Sequence, residues 1–232
     1  PSLDLRAAYE PNDKRRAGSM MEHGWTMPAW KPQKLPQANG SYTPDDQAYN
    51  DFMKDGYRYD TIQDAKKGGS LNGTRSTIAK YVVGPGQKYG GEQVIGMNTG
   101  INFMMLRYAD ILLIYAESTL GDAASTSDGT ALEAFNKVRL RAGLPTKEVL
   151  TLNDIMKERR VEFAFEGDYW FDITRQGFEK AKQIIEAQNR GTISGIVRVT
   201  GFTEDKMFLP IPASEVLQDP LLNEDPQPYY TK

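Results

Sequence analysis

Apolar residues follow two different rhythms along this chain, and the rhythm changes near residue 100. From Asn102 to Leu120 the residues are apolar around most of a helical circumference, which predicts a helix buried on several sides. Arg107, Asp110 and Glu117 share its one polar stripe at 100° per residue. Thr130 to Ala142 then places Ala131, Leu132, Phe135, Val138 and Ala142 on one arc, opposite Glu133, Asn136 and Lys137. Gly143 and Pro145 follow in the order that ends a helix. The small polar connection from Gly121 to Asp128 makes these two elements an αα-hairpin of the tetratricopeptide type, with only one such pair evident.

Thr151 and Asp154 have the spacing of a capping box and open a third helix, broken at Gly167. Its apolar face carries Leu152, Ile155, Met156 and Phe163, with Arg159 in the middle and Glu162 and Glu166 beside it. Tyr169-Trp170-Phe171-Asp172 packs as an aromatic knot against the helix end. Phe178 to Gln188 is a further amphipathic helix built on Ala181, Ile184 and Ile185. Ile196 to Val199 and Met207 to Leu209 suggest a hairpin, and the segment from Leu209 to Glu215 leads into a short helical turn.

The first hundred residues lack this regularity. They hold 13 of the 21 glycines, and Pro28, Pro32, Pro36 and Pro44 interrupt any long element. A short helix from Leu3 to Tyr9 and a short strand over Tyr81-Val82-Val83 are the elements expected there. A stretch of this length without regular structure points to functional loops. The fold class expected is therefore mainly α: an irregular helical domain with one αα-hairpin, long loops and one or two short β-hairpins. Residues 1–232 form a single domain in this reading, with 1–100 the loop-rich, ligand-facing part and 101–232 the helical scaffold.

Composition narrows the function classes. A net charge of −3 carries no electrostatic footprint for nucleic acid. No stretch of 18 apolar residues is free of charge, so no lipid-facing span is expected. Zero cysteines exclude disulfides, thiolate metal sites and cysteine nucleophiles. The chain opens at Pro1-Ser2-Leu3 with neither an initiator Met nor a leader, the pattern of a processed or excised piece.

Four acidic residues, Glu158, Glu162, Glu166 and Asp172, invite an acid–base reading of the glycosidase kind. A general acid needs a raised pKa, however, and neighbouring guanidinium groups lower it. With Arg159, Arg160 and Arg175 close in sequence, the expectation is a structural ion network of Arg107, Asp110, Glu158, Arg159, Glu162, Glu166 and Arg175. His23 is the only histidine, which leaves a triad or a histidine metal site without partners. The glycine-rich run from Gly84 to Gly91 matches neither nucleotide-binding pattern. No cofactor or metal is expected; a structural calcium ion is the alternative at the oxygen-rich stretches around Asp45-Asp46 and Asp55 to Asp60, neither of which matches EF-hand spacing.

The candidate recognition site is the aromatic cluster of the loops. Trp25, Trp30, Tyr42, Tyr49, Phe52, Tyr57 and Tyr59 fall among Pro, Gly, Asp and Asn instead of at helical spacing. Sugar rings offer an apolar C–H face to indole and phenol rings, while Asp45, Arg58 and their polar neighbours suit the hydroxyls. Trp25, Trp30, Tyr42, Tyr57, Tyr59, Asp45 and Arg58 are the ligand-binding candidates; the alternative is that these rings pin down loops with little core of their own.

Several segments together resemble the SusD/RagB family of outer-membrane nutrient-binding proteins. They are the D-L-R-A-A-Y-E-P-N-D-K-R-R run of Asp4 to Arg16, the R-Y-A-D-I-L-L-I-Y-A-E run of Arg107 to Glu117, and N-K-V-R-L-R-A-G-L-P from Asn136 to Pro145. E-R-R-V-E-F-A-F-E-G-D-Y-W-F-D from Glu158 to Asp172 and F-L-P-I-P-A-S-E from Phe208 to Glu215 complete the set. The resemblance implies the C-terminal part of a lipid-anchored, cell-surface lid on a TonB-dependent transporter of the SusC type. It implies non-catalytic capture of an oligosaccharide or, in some members, a peptide, with membrane association only through the parent's lipid anchor. A pure transporter-docking scaffold and a helical glycoside hydrolase are the rival readings. The hydrolase would have to use Asp45, Asp60 or Glu92.

Overall fold

The computed structural model describes residues 1–22, 24–27, 57–59, 76–83, 88–89, 92–93, 100–190, 199–208 and 211–223, with 57, 58, 88, 89, 92 and 93 described by their backbone. The described residues are mainly helical, with three small antiparallel strand pairs.

The scaffold is built on three helices: α3 (Tyr108–Leu120), α4 (Gly129–Ala142) and α5 (Leu152–Glu162). Ala109, Leu113, Ala116 and Leu120 form one buried stripe on α3, at the spacing that keeps successive turns on one face. Against it pack Ala131, Phe135 and Val138 of α4, Ile155 of α5, Leu150, and Phe163 just past the end of α5. Asp128 caps α4 by accepting the amides of Thr130 and Ala131, and Gly143 ends it in the left-handed region at φ 82°. Thr151 and Asp154 close a reciprocal capping box at the start of α5. Thr126 pairs with Leu150 as an isolated bridge, so the segment after α4 returns beside the one before it.

Helix α3 begins six residues later than its apolar pattern predicts. Arg107 is extended at φ −127°, ψ 155°, and its guanidinium reaches across to Glu162 and Glu166. That long-range attachment holds the backbone out of the helix, and Phe103 to Leu106 stay exposed before it. The expected burial on several sides is also corrected: Ile111, Ile114 and Tyr115 are exposed opposite the buried stripe. Helix α5 likewise stops at Glu162, short of Gly167, because the chain turns through Phe165 at φ 68°.

Beyond α5, the Tyr169-Trp170-Phe171-Asp172 segment belongs to the short helix α6 (Tyr169–Thr174), followed by α7 (Phe178–Ala187). Ile173, Ala181, Ile185 and Phe202 make a second core. Trp170 meets Phe202 edge-on and Phe178 stacks on it. Met207 ends a 3₁₀ turn (Glu204–Met207) where a strand was expected; residues 196–198 and Leu209 lie outside the described residues. Helix α8 (Ala213–Gln218) follows.

The described part of the first hundred residues comprises α1 (Leu3–Ala8), capped by Ser2, and α2 (Arg15–Ser19). Strand β1 (Met20–Glu22) pairs with β4 (Ser76–Ile78), β2 (Thr26–Met27) with β3 (Tyr57–Arg58), and β5 (Lys88–Tyr89) with β6 (Glu92–Gln93). The strand expected at Tyr81 to Val83 is thus displaced to Ser76–Ile78, where it has an antiparallel partner, and Tyr81 sits in a turn at φ 67°. Two small cores hold this region: Tyr9 and Met20 against Val161, and Met21 with Tyr59 against Trp25, Met27 and Ala79.

Candidate functional site

Of the loop aromatics, Trp25 and Tyr59 are described with their side chains. The Trp25 indole nitrogen donates to the Ala17 carbonyl at 2.8 Å, and the ring packs against Met21 and Tyr59. Tyr59 and Trp25 are further tied by the Tyr59 amide donating to the Trp25 carbonyl. Both rings therefore hold the β2–β3 pair to β1, and Trp25 is only half-buried while doing so. Tyr57 and Arg58 are in β3, paired with Met27 and Thr26. Trp30, Tyr42 and Asp45 lie outside the described residues, as do His23, Asp60 and the Asp46 and Asp55 of the calcium reading. No group of three or more His, Cys, Asp or Glu fit for a metal ion occurs among the described residues.

The charged residues of α5 fall into two clusters. Successive helical turns put Glu158 and Glu162 on one side, with Glu166 just beyond the helix end. Glu162 accepts from Arg15 at 3.2 Å, from Arg107 at 2.9 Å and from Arg141. Glu158 accepts from Arg15 at 2.7 Å and Arg139 at 3.0 Å, and Glu166 from Arg107 at 2.7 Å and from Lys80. Asp13 and Glu10 complete the set on Arg15 and Arg139. Arg159 points the other way, to Asp110 at 2.6 Å and Asp172 at 2.8 Å. Arg175 continues that second cluster between Asp172 and Glu117.

Between the clusters lies Phe163. The guanidinium groups of Arg107 and Arg159 both lie over its ring, 4.8 and 4.9 Å from the centroid. Burial by itself raises the Glu162 carboxyl, but the hydrogen bonds from Arg141 and Arg107 outweigh it and hold the group below its ordinary value. Asp168 moves the opposite way, raised first by burial and then by the nearby Asp110 carboxylate. Glu162 is therefore an anion fixed by three cations, an arrangement suited to joining segments and unsuited to donating a proton.

Sequence spacing does not announce four cationic partners of these carboxylates: Arg15, Lys80, Arg139 and Arg141, the last in the same run as Arg139. Arg15 and Arg139 do sit in the D-K-R-R and N-K-V-R-L-R runs, which are their only visible signal. Lys80 has none; its ammonium donates to the Glu162 and Ala164 carbonyls as well as to Glu166.

Open space borders the first cluster. A cavity of about 470 Å³ is lined by Lys14, Lys80, Tyr81, Met104, Arg107 and Arg141 among others. Tyr81, which lines it, stacks on Phe103 with ring centroids 6.0 Å apart.

The family model that matches this sequence is that of the SusD family, over residues 4–230. A SusD-like protein of Bacteroides ovatus is 36% identical over 207 residues, covering 75% of this chain and 38% of the relative. A crystal structure with xylogluco-oligosaccharide is similar over 100% of this chain and 46% of its own, with TM-score 0.72 and 30% identity. Surface glycan-binding protein A from Bacteroides uniformis is similar over 94% of this chain and 39% of its own, with TM-score 0.55 and 25% identity. The chain thus spans less than half the length of each of these proteins.

Proposed function

This chain belongs to the SusD family, and on that premise we propose that it captures oligosaccharide at a bacterial cell surface without altering it chemically. In the same reading its parent is an outer-membrane lipoprotein that delivers the ligand to a SusC-type, TonB-dependent transporter. Residues 1–100 contribute to recognition and residues 101–232 carry them as scaffold.

The observation that carries this reading is the state of the buried carboxylates. Glu158, Glu162, Glu166 and Asp172 each accept from arginine, and Glu162 from three of them. A glycosidase needs one carboxyl that keeps its proton near neutral pH and a second facing it across the scissile bond. At Glu162 the hydrogen bonds from Arg141 and Arg107 oppose the first requirement, holding its carboxyl below the ordinary value. Support for the ligand class comes from the xylogluco-oligosaccharide bound by a protein of the same fold over this chain's full length. No helix among the described residues is long and apolar enough to cross a membrane.

Calorimetry against xylogluco-oligosaccharide, other neutral oligosaccharides and short peptides tests the proposal, with reducing ends assayed in parallel. Saturable saccharide binding without new reducing ends is the expected result. Trp30→Ala weakens that binding while leaving helical content unchanged. Release of reducing ends, or saturation by peptides alone, sinks the proposal.

A further inference from the structure

The 470 Å³ cavity beside the first charge cluster has features that the scaffold does not account for. Within the cluster the charges cancel: Arg15, Arg107, Arg139, Arg141 and Lys80 meet Glu10, Asp13, Glu158, Glu162 and Glu166, five of each sign. Lys14 is left over. It lines the cavity, yet its ammonium has neither an ion pair nor a hydrogen bond among the described residues. Its stem lies across Gly143, where an added Cβ would stand 3.0 Å from Lys14 Cε. The lysine is thus laid over the end of α4 by a glycine that leaves room for it.

Arg141, on the last turn of α4, is the second available cation. Its side chain is 58% exposed, and one terminal nitrogen contacts Glu162. Its Nε and Nη1 have no acceptor among the described residues. A free guanidinium N–H at Nη1 donates a charge-assisted hydrogen bond to a single carboxylate oxygen.

Tyr81 supplies the third feature. A bulky residue at φ 67° is strained, and such strain collects at functional sites. Lys80, tied to Glu166 and to two carbonyls, holds the backbone there, so the Tyr81 ring faces the cavity beside Phe103 instead of relaxing away.

We infer that this cavity is a subsite for a hexuronate ring of an acidic saccharide. Lys14 and Arg141 take the carboxylate, and the Tyr81 ring lies against the C–H face of the sugar. An ammonium without a carboxylate partner among the described residues suits an anionic group, and the aromatic wall suits a sugar better than a bare anion. This rests on the glycan-binding reading above and adds a preference for acid to it.

The test is calorimetric titration of the 232-residue chain with tri-galacturonate, its methyl ester, neutral xylogluco-oligosaccharide, a sulfated oligosaccharide and an acidic peptide. Tri-galacturonate binds at least about tenfold more tightly than its ester, the size expected of a charge-assisted contact. Lys14→Gln removes most of that preference. Tyr81→Gly relieves the left-handed backbone, so it lowers affinity while the melting temperature holds or rises, which a purely structural tyrosine does not do. Equal affinity for acid and ester, or an unchanged preference in Lys14→Gln, overturns the subsite and leaves glycan capture standing. Tighter binding of the sulfated sugar or the peptide overturns the uronate assignment. Failure of every saccharide to bind overturns glycan capture itself, and the subsite with it.

Discussion

The helical scaffold and the described part of the first hundred residues are held by different forces. Around α3, α4 and α5 a contiguous set of apolar side chains, from Ala109 to Phe163, is removed from water. The described part of the first hundred residues has only two small apolar clusters, and one of them borrows Val161 from the scaffold. Ion pairs do the joining instead: Glu10 to Arg139, Arg15 to Glu158 and Glu162, and Lys80 to Glu166. The difference teaches that a loop-rich segment can be docked with little core of its own when its few long side chains find fully satisfied, buried partners. It also separates two kinds of failure, global unfolding and loss of docking.

The sharpest way to break the comparison is to strike each side in turn. Phe135 is fully buried at the centre of the scaffold, and Phe135→Ala is expected to cost about 3–5 kcal/mol in urea unfolding, with all probes moving together. Glu162→Gln leaves three guanidinium groups short of a partner and costs about 3 kcal/mol or more. Its signature is selective: limited proteolysis cuts before residue 100 sooner than within α3 to α5. If cleavage rises evenly along the chain, the docking role of Glu162 is wrong.

Acid sharpens the same contrast without mutation. The folded-state value of Glu162 lies below its ordinary 4.5, so its contribution is complete above that pH and disappears as pH falls through the lowered value. Glu10 and Glu22, held down chiefly by hydrogen bonds from Arg139 and Arg16, act with the same sign. Proteolytic protection of the first hundred residues is therefore lost on titration below pH 4.5, before the helical signal of the scaffold declines. Smaller effects complete the series. Thr151→Ala removes the cap of α5 and costs about 1 kcal/mol by thermal unfolding. Trp25→Phe forgoes the bond to the Ala17 carbonyl, costs about 1 kcal/mol, and quenches little of the fluorescence change on ligand binding if Trp30 reports it.

Much of the scaffold was legible because its signals are local. The capping box of Thr151 and Asp154, the stop at Gly143 and the apolar arc of α4 all involve residues within a few turns of one another. The start of α3 was not legible, since Arg107 is drawn out of the helix by carboxylates 55 and 59 residues away. Tyr81 misled for a related reason: its β-type side chain favours a strand, while the anchoring of Lys80 bends the backbone into a turn. The carboxylates of α5 could be recognised as arginine-paired from the arginines close to them in sequence, but not their distribution into two clusters, which depends on which elements arrive at each side. Of the loop candidates, Trp25 and Tyr59 are tied into a small core, a role that spacing among prolines and glycines cannot distinguish from ligand contact.

The position of Phe163 couples the two charge clusters. Because cations from both clusters lie over one ring, a substitution in either cluster alters what the ring offers to the other. Changes at Arg107 and Arg159 should therefore be non-additive in a double-mutant cycle with Phe163→Leu, although the two arginines share no carboxylate. Neither cluster can be redesigned independently of the other, since one ring takes a cation from each.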